Sequence, residues 1–308
     1  MKILIFDSWK GKFSLPIKEH WESLGHEVLF HPTWDKLPEA DLVYFYQADN
    51  GLVEFTTQEA LWGAVKCPVY AGCIDIEVWA GQATAVQWSK VTGVTFIAEH
   101  IANMVLPKIN PPPKVALIKP GINLDKFTLK KPEPHGPPIK LAYVVGDKRI
   151  WDVKRFDICL MLLRDLLDTT GYEWQLYVRG TYSTHEQYND YCEHLLDNLG
   201  LRENVIWTER VEDMNEWLED KDFFLLPSTK EAFSYATAEA MAKGIKPIIG
   251  NWRSADINWK PFYCKTIGQM FSRILESNYD PQAYRKFIEE NYNEKRYLDE
   301  LSKFLEIS

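Results

Sequence analysis

The stretch 222–250, DFFLLPSTKEAFSYATAEAMAKGIKPIIG, decides how the chain is read. Its apolar run Phe223–Leu226, closed by Pro227, has the continuous hydrophobicity of a strand buried on both faces. Ser228, Thr229 and Lys230 then form a polar turn at the strand's carboxyl end, where open α/β sheets bind ligands. A helix of small residues is expected from about Ser234 up to Gly244, and KPIIG supplies the next buried strand. Strand, turn, helix, strand is one unit of a parallel sheet with a crossover connection.

Two carboxylates punctuate this unit, Glu231 and Glu239, with seven residues between them. Eight residues of helical rise span about 12 Å, on the order of the distance from a sugar across a diphosphate to a ribose. Helix-first amides at Ser234, Tyr235 and Ala236 suit an anion between those ends. Taken alone, the pair reads better as acids complementing a helix dipole. The buried strand, the proline turn and the small-residue helix favour the ligand reading.

Outward from this stretch the same alternation recurs. KILIF, HEVLFH, DLVYFYQA, PVYAG, VTFIA and KVALIKPG precede the proline-rich KKPEPHGPP (130–138); IKLAYVVG, EWQLYVRG and ENVIWT follow it, with helical patterns between. The expected fold is therefore α/β, with two Rossmann-like doubly wound parallel-sheet domains facing a central cleft. Their expected bounds are 1–134 and 139–285, with 130–138 as linker and a terminal helix, 286–308, crossing back to the first domain. A single helix is expected over VKRFDICLMLLRDLLDTTG (153–171).

Of the 308 residues 46% are hydrophobic and 26% charged, as in an ordinary soluble globular protein, and the formal charge of −9 disfavours non-specific nucleic-acid binding. Five scattered cysteines without a C-x-x-C pair argue for reduced thiols. No apolar run approaches the roughly 18 residues of a membrane span, and a cytoplasmic location is expected. The segment 107–131 carries six lysines against one aspartate, so peripheral contact with an anionic surface is weighed against a solvated one.

The segment LPSTKEAFSYATAEAMAKGIKPIIG (226–250) resembles the signature of the family 4 retaining glycosyltransferases, glycosyl transferases of group 1 with the GT-B fold. LAYVVGDKRIWDVKRFDICLMLL (141–163) is similar to their strand, Gly-Arg turn and KG-led helix, and VALIKPGINLDKF (115–127) to the segment closing their first domain. Over the first 110 residues the likeness is architectural. The resemblance implies transfer of a sugar from a UDP- or GDP-linked donor to an acceptor hydroxyl with retention and without a metal or cofactor. It places Glu231 at the donor sugar, Glu239 at the ribose, and the amides of Phe233, Ser234 and Tyr235 at the diphosphate. Lys154 matches the family's lysine that neutralises the leaving diphosphate. The arginine position holds Asp147, so the second cation is Arg149 or Lys148. The donor-binding set further takes in Gly146, Arg179 and Val211. In the first domain Asp75 stands near the family's His-Asp position, although a structural strand-end aspartate is the better reading. Lys10, Gly11 and Lys12 occupy the loop expected to approach acceptor or diphosphate. Ser234 stands where the family carries glycine.

The acceptor stays open between glycan, lipid-linked sugar, small molecule and modified DNA. Two other functions are compatible with these residues: a catalytically silent GT-B nucleotide-sugar binder, and another GT-B enzyme such as a sugar-nucleotide epimerase.

Overall fold

Buried apolar runs become parallel strands in both halves of the chain. The computed structural model describes residues 1–7, 11, 13–30, 39–47, 50–74, 83–110, 113–130, 136–145, 151–180, 186–208, 211 and 213–308, with the side chains of 151–152 excepted. It divides into two compact units, Met1–Gly121 with Glu294–Ser308, and Ile122–Asn293.

The first unit is built on β1 (Lys2–Phe6), β2 (Glu27–Phe30), β3 (Leu42–Phe45), β4 (Val69–Cys73), β5 (Gly93–Phe96) and β6 (Lys114–Leu117). They lie in the order β2-β1-β3-β4-β5-β6 and pair in parallel throughout. Ile3, Ile5, Leu42, Tyr44 and Tyr70 bury one face against Trp21 and against Leu298, Leu301 and Phe304 of the terminal helix Glu294–Phe304. The Trp21 indole donates to Ser302 Oγ at 2.9 Å, satisfying its buried N–H. Gly121 allows the chain to meet that helix: a Cβ added there would fall 2.4 Å from Glu294 Cα.

The second unit holds β7 (Ile139–Val144), β8 (Trp174–Arg179), β9 (Val205–Thr208), β10 (Phe223–Leu226) and β11 (Lys246–Ile249) in the parallel order β11-β10-β7-β8-β9. Leu141, Tyr143, Leu176, Val178 and Leu225 face a core completed by the helix Phe156–Thr170. On the opposite face Ala142 and Phe224 pack with Ala240 of the helix Tyr235–Ala242. Residues 122–130 already belong to this unit. Lys130 N–H donates to Lys243 O (3.1 Å) and its ammonium to Lys221 O (2.6 Å), while Arg285 donates to the carbonyls of Leu124 and Phe127. The division thus lies ahead of the proline segment 130–138, of which 131–135 fall outside the described residues.

Two expectations about helices are corrected. The helix expected over 153–171 begins at Phe156, because Arg155 takes φ 58 and interrupts it after the short helix Trp151–Lys154. The terminal helix expected over 286–308 is instead the end of one helix, Pro281–Asn291, and a second, Glu294–Phe304, broken where Tyr292 O accepts the Ile122 amide at 2.8 Å. The first belongs to the second unit and the last to the first.

The basic segment 107–131 is partly neutralised within the fold. Lys114 pairs with Glu306 (2.9 Å), Lys126 with Asp213 (3.7 Å) and Lys130 with Asp222 (3.7 Å). Among the described residues no helix is long and apolar enough to cross a membrane.

Candidate active site

Strand order in the second unit fixes where a ligand is to be sought. From β7 the chain proceeds through β8 to β9 on one side of the sheet, then returns to lay β10 and β11 on the other. Between β7 and β10 the winding reverses, and the helices that follow them, Phe156–Thr170 and Tyr235–Ala242, pack on opposite faces of the sheet. In open α/β sheets such a reversal leaves the crevice that binds ligands.

The segments that follow β7 and β10 both carry charge, and two hydrogen bonds clip them together: Thr229 donates its amide (2.8 Å) and its hydroxyl (3.3 Å) to Val153 O. One residue beyond Val153, the Lys154 ammonium donates to Glu231 Oε1 at 2.5 Å. The Ser228 hydroxyl donates to the same oxygen at 2.6 Å. Ser228 is 1% exposed, and the side chains of Lys154 and Glu231 are 16% and 10% exposed. A carboxylate held by an ammonium and a hydroxyl in a poorly solvated crevice is a charge-assisted, oriented group.

The segment after Glu231 is anchored by its aromatic residue. Phe233 is buried against Tyr235 (ring centroids 5.2 Å apart), Trp259 (5.4 Å) and Tyr292 (4.7 Å). Its side chain therefore serves the core, and only its backbone remains for a ligand. Ser234 is the N-cap of the helix Tyr235–Ala242 and has φ 84, ψ 80. This is the left-handed region, whose cost to a non-glycine residue is about 1–2 kcal/mol. Its hydroxyl bonds to Thr237 Oγ1 at 2.8 Å instead of capping a backbone amide. Glu239, partly buried, sits one turn beyond Tyr235 on the same helix face. Because the strain at Ser234 sits in the backbone and the position is an N-cap, Ser234→Ala is expected to be less stable than Ser234→Gly by about 1 kcal/mol, the reverse of the preference inside a helix. Denaturant unfolding of the two variants checks the order.

Arg179 ends β8 and donates from Nη2 to Val211 O at 2.9 Å, so these two expected donor residues are brought together. Val211 also packs on the cluster that holds Ala142, Phe224 and Ala240. In the first unit Gly11 has φ 86, and its amide donates to Asp7 Oδ2 at 3.0 Å, an oxygen that also takes the Ser14 hydroxyl. That amide is engaged within its own turn. Arg149, Lys148, Gly146, Asp75, Lys10 and Lys12 lie outside the described residues.

Sequence reasoning missed Ser228 as the partner of Glu231. It also missed Arg155, whose guanidinium donates to Asp157 from Nε (2.9 and 3.2 Å) and Nη2 (2.8 Å). Asp157 is buried and accepts the Tyr188 hydroxyl at 2.8 Å. Burial pushes the Asp157 carboxyl up, but the hydrogen bonds from Arg155 and Tyr188 and the adjacent guanidinium outweigh it and hold the group below its ordinary range. The readable signal was the dipeptide Lys154–Arg155, set where the resembling motif has Lys-Gly.

Several solved structures share this architecture across essentially the whole chain. A glycosyltransferase from Rickettsia africae superposes with TM-score 0.73 at 14% identity, covering 99% of this chain and 98% of that one. Anabaena HepE, solved in complex with UDP and glucose, gives 0.76 at 14% identity and covers 99% of each chain. Sucrose-phosphate synthase from Thermosynechococcus elongatus gives 0.76 at 12% identity, covering 99% of this chain and 98% of that one. At such identities the likeness shows the fold, which is GT-B. No curated protein matches the chain in sequence. The model of the Glycosyl transferases group 1 family matches residues 128–304, more than half of the chain and the whole span carrying Lys154, Glu231 and Glu239, and the chain belongs to that family.

Proposed function

We propose that the protein is a retaining glycosyltransferase of the family 4 type, moving a sugar from a UDP- or GDP-linked donor to an acceptor hydroxyl of the glycan class. The observation that carries this reading is the Lys154–Glu231–Ser228 constellation at the carboxyl ends of β7 and β10. Anabaena HepE, of similar fold, was solved with UDP and glucose, which favours a nucleotide sugar here.

In this reading Glu231 and Glu239 form an E-x7-E pair, the first at the donor sugar and the second at the ribose. The diphosphate lies against the amides of residues 233–235, at the positive end of the helix. As the glycosidic bond breaks, the departing diphosphate gains charge. Lys154 supplies a fixed cation to it, with Arg149 or Lys148 as the second. The acceptor hydroxyl attacks from the face the diphosphate leaves, and a phosphate oxygen takes its proton, so the anomeric configuration is retained. The protein contributes orientation and charge stabilisation, with no covalent nucleophile and no metal in the scheme.

The test is release of nucleoside diphosphate from a panel of UDP- and GDP-sugars, with and without chelator, and NMR assignment of the product anomer. Expected are turnover of one donor, insensitivity to chelator, retention, and loss of about 100-fold or more in Glu231→Ala. Inversion sinks the retaining mechanism, and donor binding without turnover with any acceptor indicates the silent binder. Undiminished turnover in Glu231→Ala removes Glu231 from the site.

A further inference from the structure

Among the described residues four non-glycine residues have positive φ, and two of them, Arg155 and Ser234, lie beside Lys154 and just after Glu231. Arg155, at φ 58 and ψ 55, separates the short helix Trp151–Lys154 from the helix Phe156–Thr170. Left-handed backbone crowds Cβ against the next carbonyl, so a bulky residue keeps it only where its surroundings over-determine it. Here the guanidinium forks onto Asp157, two residues on, and Asp157 is itself fixed by the Tyr188 hydroxyl. The main-chain N–H of Asp157 donates in turn to Tyr188 Oη at 3.3 Å, so backbone and side chain of the turn share one anchor.

On the other side of Lys154, Val153 O is held by Thr229. Lys154 thus stands between two fixed points, one docked on the segment after β10 and one locked in an uncommon conformation. With ordinary helical dihedrals at 155, the two helical pieces would run on as one, turning about 100° per residue. The direction of the Lys154 side chain would then be set by that helix and no longer by the docking of Val153 on Thr229.

We propose that Arg155 is a positioning residue for the transfer reaction. Its left-handed backbone, held by Asp157 and Tyr188, breaks the helix after Lys154 and aims the Lys154 ammonium at Glu231 and at the donor's leaving diphosphate. The inference rests on the role given to Lys154 above. The guanidinium is engaged with Asp157, and the backbone conformation carries the effect.

Arg155→Gly and Arg155→Lys separate backbone from charge. Glycine takes the left-handed conformation freely, whereas lysine keeps the cation but lacks the fork that fits Asp157. With UDP-glucose and GDP-mannose as probes, Arg155→Gly is expected to lose no more than about 3-fold in kcat, and Arg155→Lys about 10-fold with little change in KM. Lysine active and glycine impaired would overturn the proposal in favour of a direct role for the charge, and equal effects of the two would overturn it as well.

A second readout needs no donor. The 15Nζ NMR signal of Lys154, its proton exchange slowed by the Glu231 contact, is expected to persist in Arg155→Gly and to vanish in Arg155→Lys. Persistence in both or loss in both contradicts the proposal. Failure of the transferase reading shows separately, as no nucleoside diphosphate release by the wild-type protein.

Discussion

Lys154→Met is expected to lower kcat of sugar-nucleotide turnover by about 10²–10³-fold, with a much smaller change in KM. Methionine keeps most of the side-chain stem and removes the ammonium. What is lost is a cation within 2.5 Å of Glu231 in a crevice where both side chains are largely shielded from water. Charge stabilisation in such a place is worth more than at a surface, because little solvent competes and nothing must reorganise as charge develops. The charge that develops on the leaving oxygen as the glycosidic bond breaks is absent from the bound donor, so the loss falls mainly on the transition state. Glu231 keeps its Ser228 hydroxyl but loses its counter-charge, which adds a stability cost of about 1–3 kcal/mol. Steady-state kinetics beside thermal unfolding separate the two effects. A fall in kcat below about 5-fold would mean that Lys154 does not meet the developing charge.

Arg285→Met is expected to give the largest loss of stability. The guanidinium donates to Phe127 O (2.7 Å), Ala242 O (2.8 Å) and Leu124 O (3.2 Å), and to Glu289 at 2.9 Å. One of these carbonyls ends the helix Tyr235–Ala242, and the other two belong to the segment that enters the second unit. Methionine fills similar volume and leaves three carbonyls without their donor, at about 1–3 kcal/mol each where water does not replace it. A net loss of about 3 kcal/mol and a fall of about 6–12 °C in Tm follow for a unit of this size. Arg202 is the contrast: it pairs with Glu193 and Asp197 on the surface at 50% exposure, against 19% for Arg285. Arg202→Met is expected to change stability by less than about 1 kcal/mol. Calorimetry of the two variants checks the ranking, and equal effects would contradict it.

The parts of this molecule legible in its sequence are those written locally. Runs such as Ile3–Phe6 and Phe223–Leu226 are apolar without alternation because both faces of a parallel strand are covered, and they appear as strands where expected. The helix start near Ser234 was equally local, signalled by the proline turn and the small residues behind it. What stayed hidden depends on distance or on single dihedrals. Lys154 and Glu231 are 77 residues apart in sequence, and their meeting requires β10 to lie beside β7. The break at Arg155 is invisible in the apolar pattern, because Phe156, Leu160 and Leu163 continue a helical stripe that Val153 appends without interruption. The split of the tail at Tyr292 likewise depends on a bond to Ile122. The lysines of 107–131 were read as one basic run because their acidic partners Asp213, Asp222 and Glu306 lie far along the chain.

A crystal structure of the protein with UDP or GDP bound tests the site most directly. Diphosphate oxygens are expected within hydrogen-bond distance of Lys154 Nζ and of the amides at 233–235, with the ribose hydroxyls on Glu239. A nucleotide seated elsewhere, with Lys154 and Glu231 still paired and out of its reach, would contradict it.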